Sequence, residues 1–216
     1  LSSAGRGSIA ALEVGGRAGL EGDAPISLRA TLGGVKTPRV SLRSARMQID
    51  GRRSRHEASL EAVGEPIDVR LRLRGALSQD NVWSGTVLEL TNRGEIPIEL
   101  VRPVDVKLAR ASIQVQPFEV RAVGGALAVD ALDYGHGRLS TRGNFQAFPL
   151  VRLIELVDRN APLRGTLRLS GRWNLATTPQ LRGSLSVARE SGDLLVGAAK
   201  PFDLGISSFA ASADID

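Results

Sequence analysis

Ile67-Asp68-Val69-Arg70-Leu71-Arg72-Leu73-Arg74 is the stretch that decides the fold class. Successive side chains of a β-strand point to opposite faces, so this octet puts four aliphatics on one side and an acid with three arginines on the other. Outward from it, the same unit recurs: six to ten residues of period-two alternation, then Gly, Pro, Asn or Asp, then another run. Upstream lie residues 26–32 and 57–63. Downstream lie 84–90, 104–108, 112–115, 118–123, 126–132, 138–145, 163–175 and 181–188. Connections this short cannot make parallel crossovers, which need a dozen or more residues, so the runs form an antiparallel meander. Residues 1–24 are Gly-rich and poorly patterned.

One segment changes period. From Phe148 to Asp158, apolar Leu150, Leu153, Ile154 and Val157 repeat at helical spacing behind Pro149, which predicts a short amphipathic helix over about 149–158. A helix of this length is not stable alone and must lay its apolar face on the sheet. The prolines at 25, 38, 66, 97, 103 and 117 fall at the margins of runs, and Pro97 is the expected site of a bulge.

The chain has 216 residues, 42% of them hydrophobic, enough apolar material to exclude general disorder. It contains no cysteine, which excludes a disulfide framework, a Cys-ligated zinc site and a thiol nucleophile. The net charge is +5. A basic balance raises nucleic acid as a partner, but nearly all the cations are arginines alternating with aliphatics, with no aromatic interleaving on which bases could stack, so no nucleic-acid partner is expected. No apolar run reaches the roughly 18 residues of a membrane-spanning helix, and the chain reads as a segment of a longer one.

No catalytic chemistry stands out. His56 and His136 are the two histidines and lie far apart, so neither a metal site nor a Ser-His-Asp arrangement is expected. Gly5-Arg6-Gly7-Ser8-Ile9-Ala10 matches a dinucleotide fingerprint in letters, but the strand before and helix after it are missing. Glu155 and Asp158 read as solvated charges beside Arg152 and Arg159, and Gly135-His136-Gly137 reads as a turn. No cofactor is expected, and an enzyme is the least favoured reading.

The decisive question is what covers the aliphatic face. A two-sheet sandwich, a closed barrel and a long sheet folded into a trough all answer it. Five Phe, two Trp and one Tyr are a thin supply of bulk for a filled core, and favour a smooth groove of Leu, Val, Ala and Gly. The predicted lining is Val69, Leu71, Leu73, Val87, Val106, Leu108, Ile113, Val115, Val120, Leu139, Leu167, Leu169, Leu185 and Val187. The plain alternative is a dry core between two sheets. Trp83 and Trp173 each adjoin glycine and read as packing residues covering the gap that a missing side chain leaves.

Three stretches carry a family resemblance. They are Trp83-Ser84-Gly85-Thr86-Val87-Leu88-Glu89-Leu90-Thr91-Asn92-Arg93-Gly94 with Pro97-Ile98-Glu99-Leu100, then Leu163-Arg164-Gly165-Thr166-Leu167-Arg168-Leu169-Ser170-Gly171-Arg172-Trp173-Asn174-Leu175, and Leu181-Arg182-Gly183-Ser184-Leu185-Ser186-Val187 running into Arg189-Glu190-Ser191-Gly192-Asp193-Leu194. They resemble the middle-to-late region of TamB-type translocation and assembly proteins, well over residues 75–210 and by general pattern before that. The resemblance implies one segment of a longer all-β, taco-shaped antiparallel sheet with a hydrophobic inside, akin to AsmA-like and bridge-like lipid transfer proteins. It implies a periplasmic address with an inner-membrane anchor outside this segment and an Omp85-type, TamA-like barrel as partner at the outer membrane. The implied task is to shield phospholipid acyl chains in transport between the two membranes. The alternative task is assembly or secretion of nascent outer-membrane proteins by strand pairing.

Overall fold

The computed structural model describes residues 8–19, 22–37, 41–178, 180–197 and 202–216. The chain divides into two units, Leu1–Ser112 and Ile113–Asp216. Each is built almost wholly of antiparallel strands joined to their neighbours in sequence, the all-β meander expected from the alternation.

In the first unit β1 (Ser8–Ala18), β2 (Pro25–Lys36), β3 (Ser41–Arg52), β4 (Arg55–Glu65), β5 (Asp68–Leu77) and β6 (Trp83–Asn92) pair in chain order. One end of β6 then pairs with β7 (Ile98–Leu100) and the other with β8 (Val104–Ala109). Three of these strands fall outside the expected runs, the three-residue β7 and two longer ones. β1 lies in the stretch read as poorly patterned, because Gly15 and Gly16 blank out its alternation. β3 is masked by a register shift between Leu42 and Ser44: one extra residue, Arg43, puts Leu42 and Ala45 on the same face at a spacing of three. Pro97 makes no bulge. It lies in the turn before β7, whereas the register shift of this region is in β6, where Leu88 is the extra residue opposite Arg72 and Leu73 of β5.

In the second unit, whose first residue Ile113 lies in β9 (Ser112–Val115), β10 (Phe118–Ala122), β11 (Gly125–Gly135) and β12 (Arg138–Pro149) pair in order. The ladder continues through β14 (Arg168–Thr178), β15 (Gln180–Ser191) and β18 (Ala210–Ile215). Two-residue turns join β10 to β11 at Val123-Gly124 and β11 to β12 at His136-Gly137, all four with positive φ, the geometry that matches the twist of a tight hairpin. A small separate sheet joins β13 (Leu163–Gly165), β16 (Leu194–Val196) and β17 (Phe202–Asp203).

Helix α1 is shorter than expected, covering Leu150–Glu155. Pro149 still belongs to β12, where it pairs with Arg168, and the backbone N–H groups of Val157 and Asp158 both turn back to the Ile154 carbonyl. Val157 is 91% exposed, so the helical apolar face ends at Ile154. The expected single run 163–175 is also interrupted. Thr166 and Leu167 both donate their N–H groups to the Asp193 carbonyl instead of continuing a ladder, and Leu167 is buried at 4% exposure.

Buried apolar volume is small. Among the described residues the hydrophobic side chains classed as buried are Val104, Val120, Val123, Val129, Leu167 and Leu194, and no side chain falls below 2% exposure. Gly5–Gly7 and Pro38 lie outside the described residues; the chain beyond Gly7 enters strand β1 rather than the helix that a dinucleotide fingerprint requires.

Candidate functional site

Residues directly opposite each other in adjacent strands share a face, so register turns the aliphatic positions into continuous rows. In the first unit one row runs Gly16, Leu28, Ile49, Ala58, Leu73, Val87 and Val104, across β1 to β6 and on to β8. A parallel row runs Val14, Ala30, Met47, Leu60, Leu71 and Leu90. Nearly all of these side chains are half-buried, with Val14 71% and Met47 40% exposed at the open side. The face is thus aliphatic, continuous and uncovered within the unit.

Its far end is anchored by Trp83. The indole lies over Gly75 and Gly85, where an added Cβ would come within 2.6 and 2.5 Å of its ring. Its Nε1–H donates to His56 Nε2 at 2.9 Å, while His56 Nδ1 sits 3.2 Å from the Arg52 carbonyl. Two glycines under one large ring keep the apolar surface smooth where side chains would otherwise stand up, and the histidine serves as an acceptor rather than a ligand or base.

The second unit repeats the device. Its rows are Val120, Leu127, Phe145, Gly171, Val187, Ala211 and Phe118, Val129, Gly143, Trp173, Leu185, Ala213. Trp173 covers Gly143 and Phe145 covers Gly171, with the indole N–H on Thr141 Oγ1 at 3.1 Å and Phe145 edge-on to Phe148 at 5.8 Å.

The opposite face of the first unit is ionic. Arg70 lies opposite Glu61 and Arg72 opposite Glu89, each pair 4.0 Å apart and exposed, worth well under 1 kcal/mol each. Hydrogen bonds from the Gln48 amide and the Ser27 hydroxyl hold the Asp50 carboxyl below the usual carboxylate range. At the neighbouring turns the Ser54 backbone N–H and hydroxyl do the same for Asp23. These groups keep one face wet, so the aliphatic face is the one left for an apolar ligand.

Of the expected lining, Val69, Leu71, Leu73, Val87, Val106 and Leu108 fall on one face of the first unit. Val120, Leu139, Leu169, Leu185 and Val187 fall on the apolar face of the second, and Ile113 and Val115 share one side of β9. Leu167 stands apart in the connector before β14, packed rather than open. The expectation missed Leu12, Val14, Met47, Ile49 and Leu60, which extend the face through β1, β3 and β4. The signal lay in β4, whose Ala58, Leu60 and Ala62 require apolar partners on both sides. Trp83 covers the glycine next to it, Gly85, as its neighbours indicate, whereas Trp173 covers Gly143 across the ladder and its own neighbour Gly171 lies under Phe145.

Among the described residues no helix is long and apolar enough to cross a membrane, and no cluster of His, Cys, Asp and Glu could hold a metal ion. Comparison with curated proteins and with solved structures returned no match. A family model described as "TamB, N-terminal domain" matches residues 6–216, thus naming the N-terminal domain where the quoted stretches had suggested a middle-to-late region. A meander with one ionic and one aliphatic face, matched by that model over almost its whole length, belongs to the TamB family of translocation and assembly module proteins.

Proposed function

We propose that the aliphatic face is a segment of a periplasmic conduit that shields phospholipid acyl chains on their way between the inner and outer membranes. The observation that carries this reading is the uncovered row from Gly16 to Val104, spanning seven strands. At about 4.8 Å per strand its six intervals extend roughly 29 Å. That is about the ~30 Å thickness of a whole bilayer's hydrocarbon core, roughly twice what the acyl chains of one leaflet span, so a single acyl chain finds aliphatic contact along its full length. An acyl chain drawn into water loses about 0.8 kcal/mol per CH₂. A smooth wall returns part of that loss at every position and offers no deep minimum in which the chain would lodge. No reactive group is required, and the protein works in this reading without covalent chemistry. The full-length protein is held at the inner membrane and meets an Omp85-type, TamA-like barrel, with outer-membrane biogenesis as the outcome.

Photo-crosslinking residues placed at Leu71 and at Arg72, adjacent in sequence and opposite in face, test the proposal. Leu71 is expected to label phospholipid and Arg72 is not. Equal labelling at both, or no phospholipid in a solvent extract of the purified protein, would refute it.

A second reading rests on the sheet edges. Among the described residues β1 and β18 each pair on one side only, leaving backbone groups to which a nascent outer-membrane strand could add. Asp214→Pro in β18, on the polar face and with its N–H turned away from β15, would then abolish client binding and leave lipid content unchanged.

A further inference from the structure

The polar face of the second unit differs from that of the first in a way that the conduit does not use. Strands β12, β14 and β15 together carry six arginines and one acid, Glu190, a surplus equal to the net charge of the entire chain. Glu190 is committed to the Ala147 backbone N–H. Arg168 is spent on the carbonyls of Gly124 and Ala147, and Arg189 on those of Gly192 and Ser207. Arg138, Arg142, Arg172 and Arg182 remain, all on the polar face and, among the described residues, with no carboxylate or other side-chain partner. The arginines of β5, in contrast, stand opposite acids.

This face holds a cavity of about 860 Å³, within the size range of small-ligand sites of about 300–1,000 Å³. Register fixes its centre: Arg142 lies opposite Asn174, and Asn144 opposite Arg172. The two arginines are therefore diagonal neighbours, about 7–8 Å apart at the backbone. Across the next ladder Asn174 meets Ser184 and Arg172 meets Ser186. Two guanidiniums thus stand among four serines, two asparagines and one glutamine, with the small apolar Ala188 and Ala210 at one side and Asp130 the one acid on the wall. Phe145 and Trp173 turn their rings to the other face, over Gly171 and Gly143, so no aromatic platform is offered to a nucleobase.

We propose that this cavity binds an anionic oligosaccharide, with Arg142 and Arg172 taking its carboxylate or phosphate groups and the Asn and Ser rows its hydroxyls. The proportion of the lining argues for this ligand. Two guanidiniums with a few donors would satisfy a bare anion, whereas a wall with more than three neutral hydrogen-bonding side chains per guanidinium matches a chain of hydroxyls with sparse charge. The site lies on the face opposite the acyl-bearing one and does not depend on the conduit reading.

Calorimetric titration of the full 216-residue chain with a hexameric oligouronate tests it, against a neutral hexaglucan and inorganic phosphate. The oligouronate alone is expected to bind, more weakly as salt rises. Arg142→Gln with Arg172→Gln should weaken it at least tenfold, and Asn144→Ala with Asn174→Ala severalfold. Arg46→Ser on the polar face of the first unit should leave it unchanged, all three variants keeping the wild-type melting temperature. If the paired glutamine variant melts early, the asparagine pair, which leaves the charge intact, still separates the readings. Equal binding of phosphate would reduce the cavity to an anion site and overturn the proposal. Equal binding of the neutral glycan, or equal loss in Arg46→Ser, would overturn it too.

Discussion

Leu71→Arg separates an open acyl surface from a packed core. Leu71 is half-buried, flanked by Leu60 on β4 and Leu90 on β6 in the middle of its row. Truncating a half-buried leucine removes roughly half of the ~2 kcal/mol that full burial is worth, and an arginine on an open face keeps its stem on the aliphatics while its head reaches water. The cost in unfolding free energy is therefore about 1 kcal/mol, a fall of about 2–4 °C in Tm for a chain of this size. The effect on lipid is larger. One strand interval of about 4.8 Å carries about four CH₂ groups of an extended chain, worth about 3 kcal/mol in full transfer and about 1.5 kcal/mol when only one side is covered. A guanidinium in the row removes that contact, so phospholipid recovered with the purified protein should fall roughly tenfold. The assay is quantitative lipid extraction beside a thermal melt, with Arg72→Leu as the opposite-face control. A loss of more than about 4 kcal/mol in stability would refute the open-face argument, since only a packed leucine is worth that much. So would unchanged lipid recovery in a protein of near-normal stability.

Trp83→Ala uncovers Gly75 and Gly85 and removes the bond to His56; a loss of about 2–3 kcal/mol in urea unfolding is expected, against about 1 kcal/mol for Trp83→Phe, which keeps a ring over the glycines. Leu167→Ala, at a site 4% exposed, should cost about 2–4 kcal/mol, whereas Val157→Asp, at a site 91% exposed, should move the urea midpoint by less than the equivalent of about 0.5 kcal/mol. The Asp193 carboxyl is held below the usual carboxylate range, first by the backbone N–H of Ile206 and then by that of Leu194. A lowered folded-state value means that its stabilisation is present above about pH 3.8 and is lost as pH falls through the lower folded value. Asp193→Asn should therefore lower the melting temperature at neutral pH, with the gap to wild type closing below about pH 3.8; a constant gap would sink the assignment.

Most of the fold was legible because period-two alternation survives wherever a strand is regular. Residues 67–74 specify both faces of β5 unaided, and the turns at Val123-Gly124 and His136-Gly137 sit where the runs break. Legibility fails at single inserted residues. Arg43 hides β3, and Leu88 puts Val87 and Leu90 on one face at a spacing that alternation forbids. The register of β12 likewise shifts between Phe145 and Phe148, around Ala147 at positive φ. Of the sheet of β13, β16 and β17 only β13 shows, merged into the run 163–175, since two- and three-residue strands have no measurable period and their pairing is a long-range choice. For the candidate surface, residue type indicated which strands are apolar. Register, which no short window contains, decided which side chains line up across them, and so Val14, Met47 and Leu60 join a row with Leu71.

Because β2 to β5 each hydrogen-bond to the strand before and the strand after, and to little else, the stability of this meander is a sum of nearest-neighbour terms, as in a solenoid. Adding or deleting one hairpin changes the length of both rows by about 9.6 Å and leaves the partners of the remaining strands intact. Reach is therefore a quantity that selection can adjust in steps of two strands without redesigning the surface, and in the proposed conduit that step would set the length of wall offered to a chain.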